Sequence, residues 1–181
     1  WLAGMSAFDA LTHSFSTVAI GGFSTHDASL GYFNSAAIET IAIVFMLLAA
    51  VNFTLHFHTA RTIRQKHYRA SLMHYWKDEE LRFFLSALAT ICVITVGTLW
   101  LTNGMTFNDS FRQGIFEVVS IATTTGYATA DFAQWPAMLA VLLFTAAFMG
   151  GCAGSTAGGM KVVRVLILAK QGLREIRRLI H

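Results

Sequence analysis

The sequence predicts an all-α integral membrane protein made of a repeated unit, and three observations carry that prediction. Its 181 residues are 55% hydrophobic and 13% charged with a single proline, too apolar a mixture for a soluble domain of this length. The apolar residues fall in blocks, residues 38–51 with only Glu39 charged and residues 83–100 with no charge at all. Each block with its flanks approaches the roughly 20 residues that a helix needs to cross about 30 Å of hydrocarbon. Finally, the order short helix, Gly/Thr-rich segment, long helix occurs twice.

The basic residues are segregated. Arg61, Arg64, Lys66, Arg69, Lys77 and Arg82 form one cluster, Lys161, Arg164, Lys170, Arg174, Arg177 and Arg178 another, and only Arg112 lies elsewhere. The positive-inside rule puts both clusters in the cytoplasm, which requires an even number of crossings between them. Two spans fit, one over about 82–101 and one starting near Pro136, with the more polar stretch between them beginning and ending outside.

In chain order, residues 6–18 read as a helix too short to span, running into Ala19-Ile20-Gly21-Gly22-Phe23-Ser24-Thr25. A long apolar helix over about 34–58 then enters the cytoplasm, and the basic loop follows. Trp76-Lys77-Asp78-Glu79-Glu80 leads into the next span, which emerges at the turn signal Asn103-Gly104. A second short helix, about 108–121, runs into Ala122-Thr123-Thr124-Thr125-Gly126-Tyr127-Ala128-Thr129. Trp135-Pro136 opens the last span, with proline where its missing N–H costs nothing. The units are thus 1–60, a cytoplasmic loop 61–81, and a complete repeat 82–181.

A shift of 104 residues lays Ser16 on Ser120, Gly22 on Gly126, Thr25 on Thr129 and Asp27 on Asp131, with Phe23 on Tyr127. Counting Ser6 with Ser110, five of 22 positions match. Four of the five fall in or beside the Gly/Thr segments, which is where a repeated function would show.

Such segments suit an ion path. Irregular backbone is excluded from lipid and tolerated where it lines a polar route. A dehydrated cation needs a cage of oxygens, which stacked backbone carbonyls supply; glycine permits the required conformations, and the C-terminal dipole of the preceding short helix favours a cation. Thr124-Thr125-Gly126-Tyr127 has the T-x-G-Y pattern of potassium channel filters, and Ile20-Gly21-Gly22-Phe23 is its looser counterpart. The carbonyls of these eight residues are the expected potassium ligands.

The stretches STVAIGGFST, SIATTTGYATADF and GGCAGSTAGGMKVVR resemble the Trk/Ktr/HKT family of potassium transporters, especially the bacterial TrkH-type subunits. That resemblance implies four span–pore-loop–span repeats around one potassium-channel-like pore, of which this chain would hold the pore helix, filter and second span of one repeat and the whole of the next, by order the second and third. It further implies potassium uptake without chemistry, a multi-pass location in the bacterial inner membrane among lipid, a homodimer, and a cytoplasmic nucleotide-binding regulatory subunit on the basic face.

In the last span, Gly150, Gly151, Gly154, Ser155, Thr156, Gly158 and Gly159 admit two readings. Gly150, Gly154 and Gly158 recur every fourth residue and could form the packing face of an unbroken helix, but five glycines weaken a helix by roughly 1 kcal/mol each relative to alanine. The resemblance favours a break, an intramembrane loop working as a gate, with Lys161 at the cytoplasmic entrance.

Asp27 and Asp131 are candidates for concentrating cations at the outer mouth, or ordinary exposed loop acids. Glu117, an acid in the second short helix, is either a functional intramembrane group or a partner of backbone amides behind the filter. Cys92 and Cys152 read as packing residues inside spans, and His56, His58, His67 and His74 as interfacial rather than metal-binding. A nucleotide-binding reading of the glycines fails because Met160 stands where lysine is required. No cofactor and no nucleic acid is implied, and no enzyme. From Trp1 onward no basic stretch followed by an apolar run reads as a cleavable leader, and the abrupt start suggests a fragment. Two other readings remain at this stage: a different two-pore-loop cation channel completed by dimerisation, and a non-conducting membrane assembly subunit.

Overall fold

The computed structural model describes residues 1–65, 68–102 and 104–180, with the side chains of 68–72 and 180 left aside. Among these residues the regular secondary structure is all helical: α1 (Ala7–Val18), α2 (Ala36–Ala50), α3 (Phe53–Arg64), α4 (Tyr68–Lys77), α5 (Glu79–Thr102), α6 (Phe107–Ala122), α7 (Ala137–Met149) and α8 (Val162–Ile180), with short 3-10 turns at Ser29–Phe33 and Phe132–Gln134. Lys66, His67 and the Asn103 half of the expected turn lie outside the described residues; Gly104 has a positive φ of 65°.

The two short helices start alike. The Ser6 hydroxyl accepts the Asp9 amide at 3.1 Å and donates to its carboxylate at 2.7 Å. Thr106 does the same with Asp109, at 3.2 and 2.7 Å. Each cap satisfies an amide that has no partner within its helix. The cap equivalent to Ser6 is therefore Thr106, and the sequence match of Ser6 with Ser110 is coincidental. Ser110 lies inside α6, which is one turn longer than α1.

The expected helix over 34–58 is broken. α2 and α3 diverge by 99° at Val51-Asn52, without a proline or glycine at the bend. The Ala50 carbonyl accepts the Cys152 amide at 2.8 Å, the Ala49 carbonyl accepts that of Thr156 at 3.3 Å, and the Gly154 carbonyl receives Phe53 N–H at 3.1 Å. Asn52 then caps α3 by accepting Thr54 N–H at 2.8 Å. The remote glycine-rich segment thus takes over the end of α2, and the cap restarts the helix in a new direction. Much of the expected basic loop 61–81 is helical as well, in the end of α3 and in α4.

Of the three expected spans, one is a single continuous helix of sufficient length, the 24-residue α5. α2 and α7, at 15 and 13 residues, reach only about 20 Å at 1.5 Å per residue. α7 begins directly after Pro136 as expected, but the span breaks over residues 150–161 before α8. Cys152 falls in this break, buried, while Cys92 is within α5.

α5 and α6 pack closely because Gly114 has no side chain: a Cβ there would lie 3.1 Å from Val96 Cγ2. Phe84, Leu88 and Leu99 of α5 are buried with Phe116 and Val118 of α6, while Val93, Leu101, Val141 and Phe144 remain exposed, an apolar surface suited to lipid. Arg112, the basic residue outside both clusters, joins α6 to α2 by donating from Nε and Nη2 to the two carboxylate oxygens of buried Glu39, each at 2.7 Å.

Candidate functional site

The two Gly/Thr segments leave their helices by the same path. Ala19, Ile20 and Gly21 donate to the carbonyls of Phe15, Thr17 and Ser16 at 2.9, 3.1 and 2.8 Å. Thr123, Thr124 and Thr125 donate to those of Val119, Ile121 and Ser120 at 3.0, 3.0 and 2.8 Å. Every donor and acceptor is displaced by the same 104 residues that align the sequences.

The backbone repeats too. φ is positive at Ile20 (53°) and Gly22 (67°), and at Thr124 (65°) and Gly126 (86°), and negative at the residues between. Consecutive residues of an extended strand point opposite ways, whereas this alternation in the sign of φ lets successive carbonyls turn to one side. Ile20 and Thr124 are β-branched, a rare occurrence at positive φ and the kind of local strain found where backbone geometry serves a function. The segments touch each other: a Cβ on Gly22 would lie 2.0 Å from the Thr125 carbonyl oxygen. Gly126 faces open space, with nothing within 4 Å of its would-be Cβ.

The supports behind them differ. Tyr127 is 1% exposed; its hydroxyl donates to the His13 carbonyl at 3.3 Å and meets Thr17 Oγ1 at 3.2 Å. Its carbonyl, expected among the ion ligands, accepts the Ser120 hydroxyl at 2.6 Å and is turned back onto α6. Phe23, at the same register in the first segment, is 81% exposed. Glu117 is fully buried, and its Oε1 accepts the amides of Thr129 and Ala130 at 2.6 and 3.0 Å and the Thr129 hydroxyl at 3.2 Å. Of its two readings, the bond to backbone amides is the one found. His13 occupies the equivalent place in α1, with Nε2 2.9 Å from Ser24 Oγ and Nδ1 2.7 Å from the Asp9 carbonyl. Asp27 and Asp131 are both exposed. Asp131 caps the adjoining 3-10 turn, its carboxylate accepting Ala133 N–H at 3.1 Å and the Gln134 side-chain Nε2 at 2.9 Å.

The glycine-rich segment breaks the last span, as one of its two readings holds, and closes on itself. Gly150 (φ 64°) and Gly159 (φ 73°) pinch its ends so closely that a Cβ on Gly150 would lie 2.3 Å from the Gly158 carbonyl oxygen. The loop touches the second Gly/Thr segment and the end of α1. Gly158 N–H donates to Thr124 Oγ1 at 2.7 Å, and the Thr156 hydroxyl donates to the carbonyls of Val18 and Ala49 at 2.9 and 3.2 Å. Gly151 allows the loop to pack on α2, since a Cβ there would lie 2.8 Å from the Ala50 carbonyl oxygen. Ser155 Oγ donates to the Cys152 carbonyl at 2.6 Å. Lys161 folds its ammonium onto the carbonyls of Ser155 and Ala157.

Ser120, His13 and Asn52 were not legible as site residues, because their bonds to the Tyr127 carbonyl, the Ser24 hydroxyl and the Thr54 amide depend on how the chain leaves each helix. Glu80 belongs with them: its Oε1 accepts loop amides, although in the sequence it is one of a run of charges beside a span.

A helical membrane module with two pore-loop repeats and an intramembrane loop is the class that this fold defines. The family described as "TrkH: Cation transport protein" matches residues 1–181, and the chain belongs to that family. It is 56% identical over 179 residues to the Trk system potassium uptake protein TrkH of Halomonas elongata, covering 99% of this chain and 36% of that protein. It is 50% identical over 186 residues to the protein of the same name in Escherichia coli K12, covering 100% of this chain and 36% of the relative. The crystal structure of the potassium transporter TrkH from Vibrio parahaemolyticus matches with a TM-score of 0.92 and 51% identity, over 100% of this chain and 38% of that one. The chain therefore spans a little over a third of the length of these relatives. The family is one of transport proteins, not of enzymes.

Proposed function

We propose that this chain is part of a potassium-selective pore that carries K⁺ down its electrochemical gradient into the cytoplasm. The observation that carries the reading is the doubled backbone: two non-helical segments with the same sign pattern of φ, in contact at Gly22 and Thr125, each at the C-terminal end of a short helix. Carbonyls of Ile20, Gly21, Gly22 and Phe23, and of Thr124, Thr125 and Gly126, act as ligands. Tyr127 contributes its buried side chain, its carbonyl being engaged by Ser120. The loop over 150–161 is the gate, obstructing the path under the filter and held to it through Thr124 and Thr156.

The relatives' names support potassium as the ion and uptake as the direction. Their greater length supports a pore whose remaining loops lie in the same polypeptide, and it weighs against a two-loop channel completed by dimerisation. A homodimer in the bacterial inner membrane, with a nucleotide-binding regulatory subunit on the basic face formed by α3, α4 and α8, completes the proposal.

The test is potassium uptake by the full-length parent in cells lacking their own uptake systems. Gly126→Ser at normal abundance is expected to lose uptake or to admit Na⁺. Uptake unchanged by the substitution overturns the filter assignment.

A further inference from the structure

Glu80 stands in the first turn of α5, two residues after Asp78, whose carboxylate caps that helix by accepting Leu81 N–H at 2.7 Å. Only this cap separates it from α4. From here its Oε1 accepts two amides at once, Ala153 at 2.7 Å and Val163 at 3.0 Å. One lies early in the intramembrane loop and the other at the start of α8, so a single oxygen grips the chain on both sides of residues 154–162. Such charge-assisted bonds are roughly twice as strong as neutral ones.

The neighbouring contacts make this grip directional. Glu79 pairs with Lys170 of α8 at 2.6 Å, fastening the same turn of α5 to the lower half of the broken span. Lys161 holds the loop from within through its carbonyls, leaving its amides to be held from outside. Glu80 takes those of Ala153 and Val163 while Thr124 takes that of Gly158, and any motion drawing the loop away from Thr124 must break the Glu80 bonds or carry the first turn of α5 along.

We propose that Glu80 is a positioning residue for the gate: it latches the intramembrane loop in its obstructing place, and a movement of α4 and α5 that withdraws the carboxylate frees both ends of the loop. This rests on the reading of residues 150–161 as the gate. It assigns the cytoplasmic helices a direct route to the filter, from α4 through Asp78 and Glu80 to the loop and from Gly158 to Thr124.

Two readouts on the full-length protein in its membrane test it. Glu80→Ala is expected to raise basal potassium uptake about tenfold at equal abundance, the shift corresponding to loss of a charge-assisted hydrogen bond, with K⁺ over Na⁺ preference unchanged. Glu80→Asp, which keeps the charge on a shorter arm, should fall between. The second readout is maleimide labelling of buried Cys152, followed on its own peptide by mass spectrometry; in Glu80→Gln it should quicken about fivefold, a fraction of the same shift. Deletion of residues 150–154 serves as the control for the gate itself. If the deletion raises uptake while Glu80→Ala, present at normal abundance, does not, the latch is overturned and the gate stands. Should neither raise uptake, the gate reading fails and the latch falls with it. If Glu80→Ala does not reach the membrane, unchanged Cys152 labelling in Glu80→Gln overturns the proposal by itself.

Discussion

The first and second pore segments share a backbone and differ in what holds it. Donor by donor and φ by φ the two are displaced copies. Behind the second stand a buried tyrosine, a buried carboxylate gripping two amides, and a serine fixing a carbonyl. Behind the first stand a histidine bonded to a serine hydroxyl and Ser16, whose buried hydroxyl has no partner among the described residues. Backbone geometry is thus the repeated feature, while the side-chain support has diverged: the second segment is tied down within this chain, and the first presents Phe23 outward.

The largest expected effect separates the two glycines at the same register. Gly22→Ala combines a positive φ with a Cβ placed 2.0 Å from the Thr125 carbonyl oxygen, a backbone group that cannot yield without moving the other segment. It should cost about 3 kcal/mol or more and abolish uptake. Gly126→Ala meets nothing within 4 Å and should cost only the roughly 1–2 kcal/mol of left-handed strain, leaving a folded protein with altered selectivity. Thermal melts of the full-length protein in detergent, run beside uptake assays, check both. Equal destabilisation of the two would break the claim that the segments meet at Gly22.

The sequence displayed the repetition and the Gly/Thr segments because both depend on local backbone chemistry. Glycines recurring at fixed offsets mark positions where φ must be positive, and the same rule made Gly150 and Gly159 legible as a possible break. It hid what long-range contacts decide. The bend at Val51-Asn52 is imposed by amides about a hundred residues away, and Asn52, a polar residue ending an apolar block with the chemistry of a helix cap, was its only trace. The match of Ser6 with Ser110 misled because a single shift cannot follow an extra helical turn. In the T-x-G-Y pattern nothing distinguishes a carbonyl facing the pore from one bonded to Ser120.

An intermediate effect should separate Glu117 from His13. Glu117→Ala strips three bonds from the backbone that follows the second segment and leaves part-buried amides unpaired, which should cost about 3 kcal/mol. His13→Ala removes the links to Ser24 Oγ and to the Asp9 carbonyl and should cost about 1–2 kcal/mol. The same melts, with the K⁺ to Na⁺ uptake ratio as a second readout, would show the ratio falling more in the Glu117 variant. A larger loss in the His13 variant would reverse the order of support.

The smallest effect is the most diagnostic, because it compares one substitution at two equivalent places. Ser120→Ala removes the 2.6 Å bond to the Tyr127 carbonyl and should cost about 1 kcal/mol, the usual net worth of an intramolecular hydrogen bond. Ser16→Ala removes a buried hydroxyl that has no partner among the described residues, so no bond is lost and a desolvation cost is relieved; stability should hold or rise by up to about 0.5 kcal/mol. Freeing the Tyr127 carbonyl should also shift K⁺ over Na⁺ preference in the Ser120 variant alone, since only there does a backbone oxygen change partners beside the filter. If both variants lost the same stability and left selectivity untouched, the two segments would be supported alike, and the divergence would lie in Glu117 and Tyr127 without Ser120.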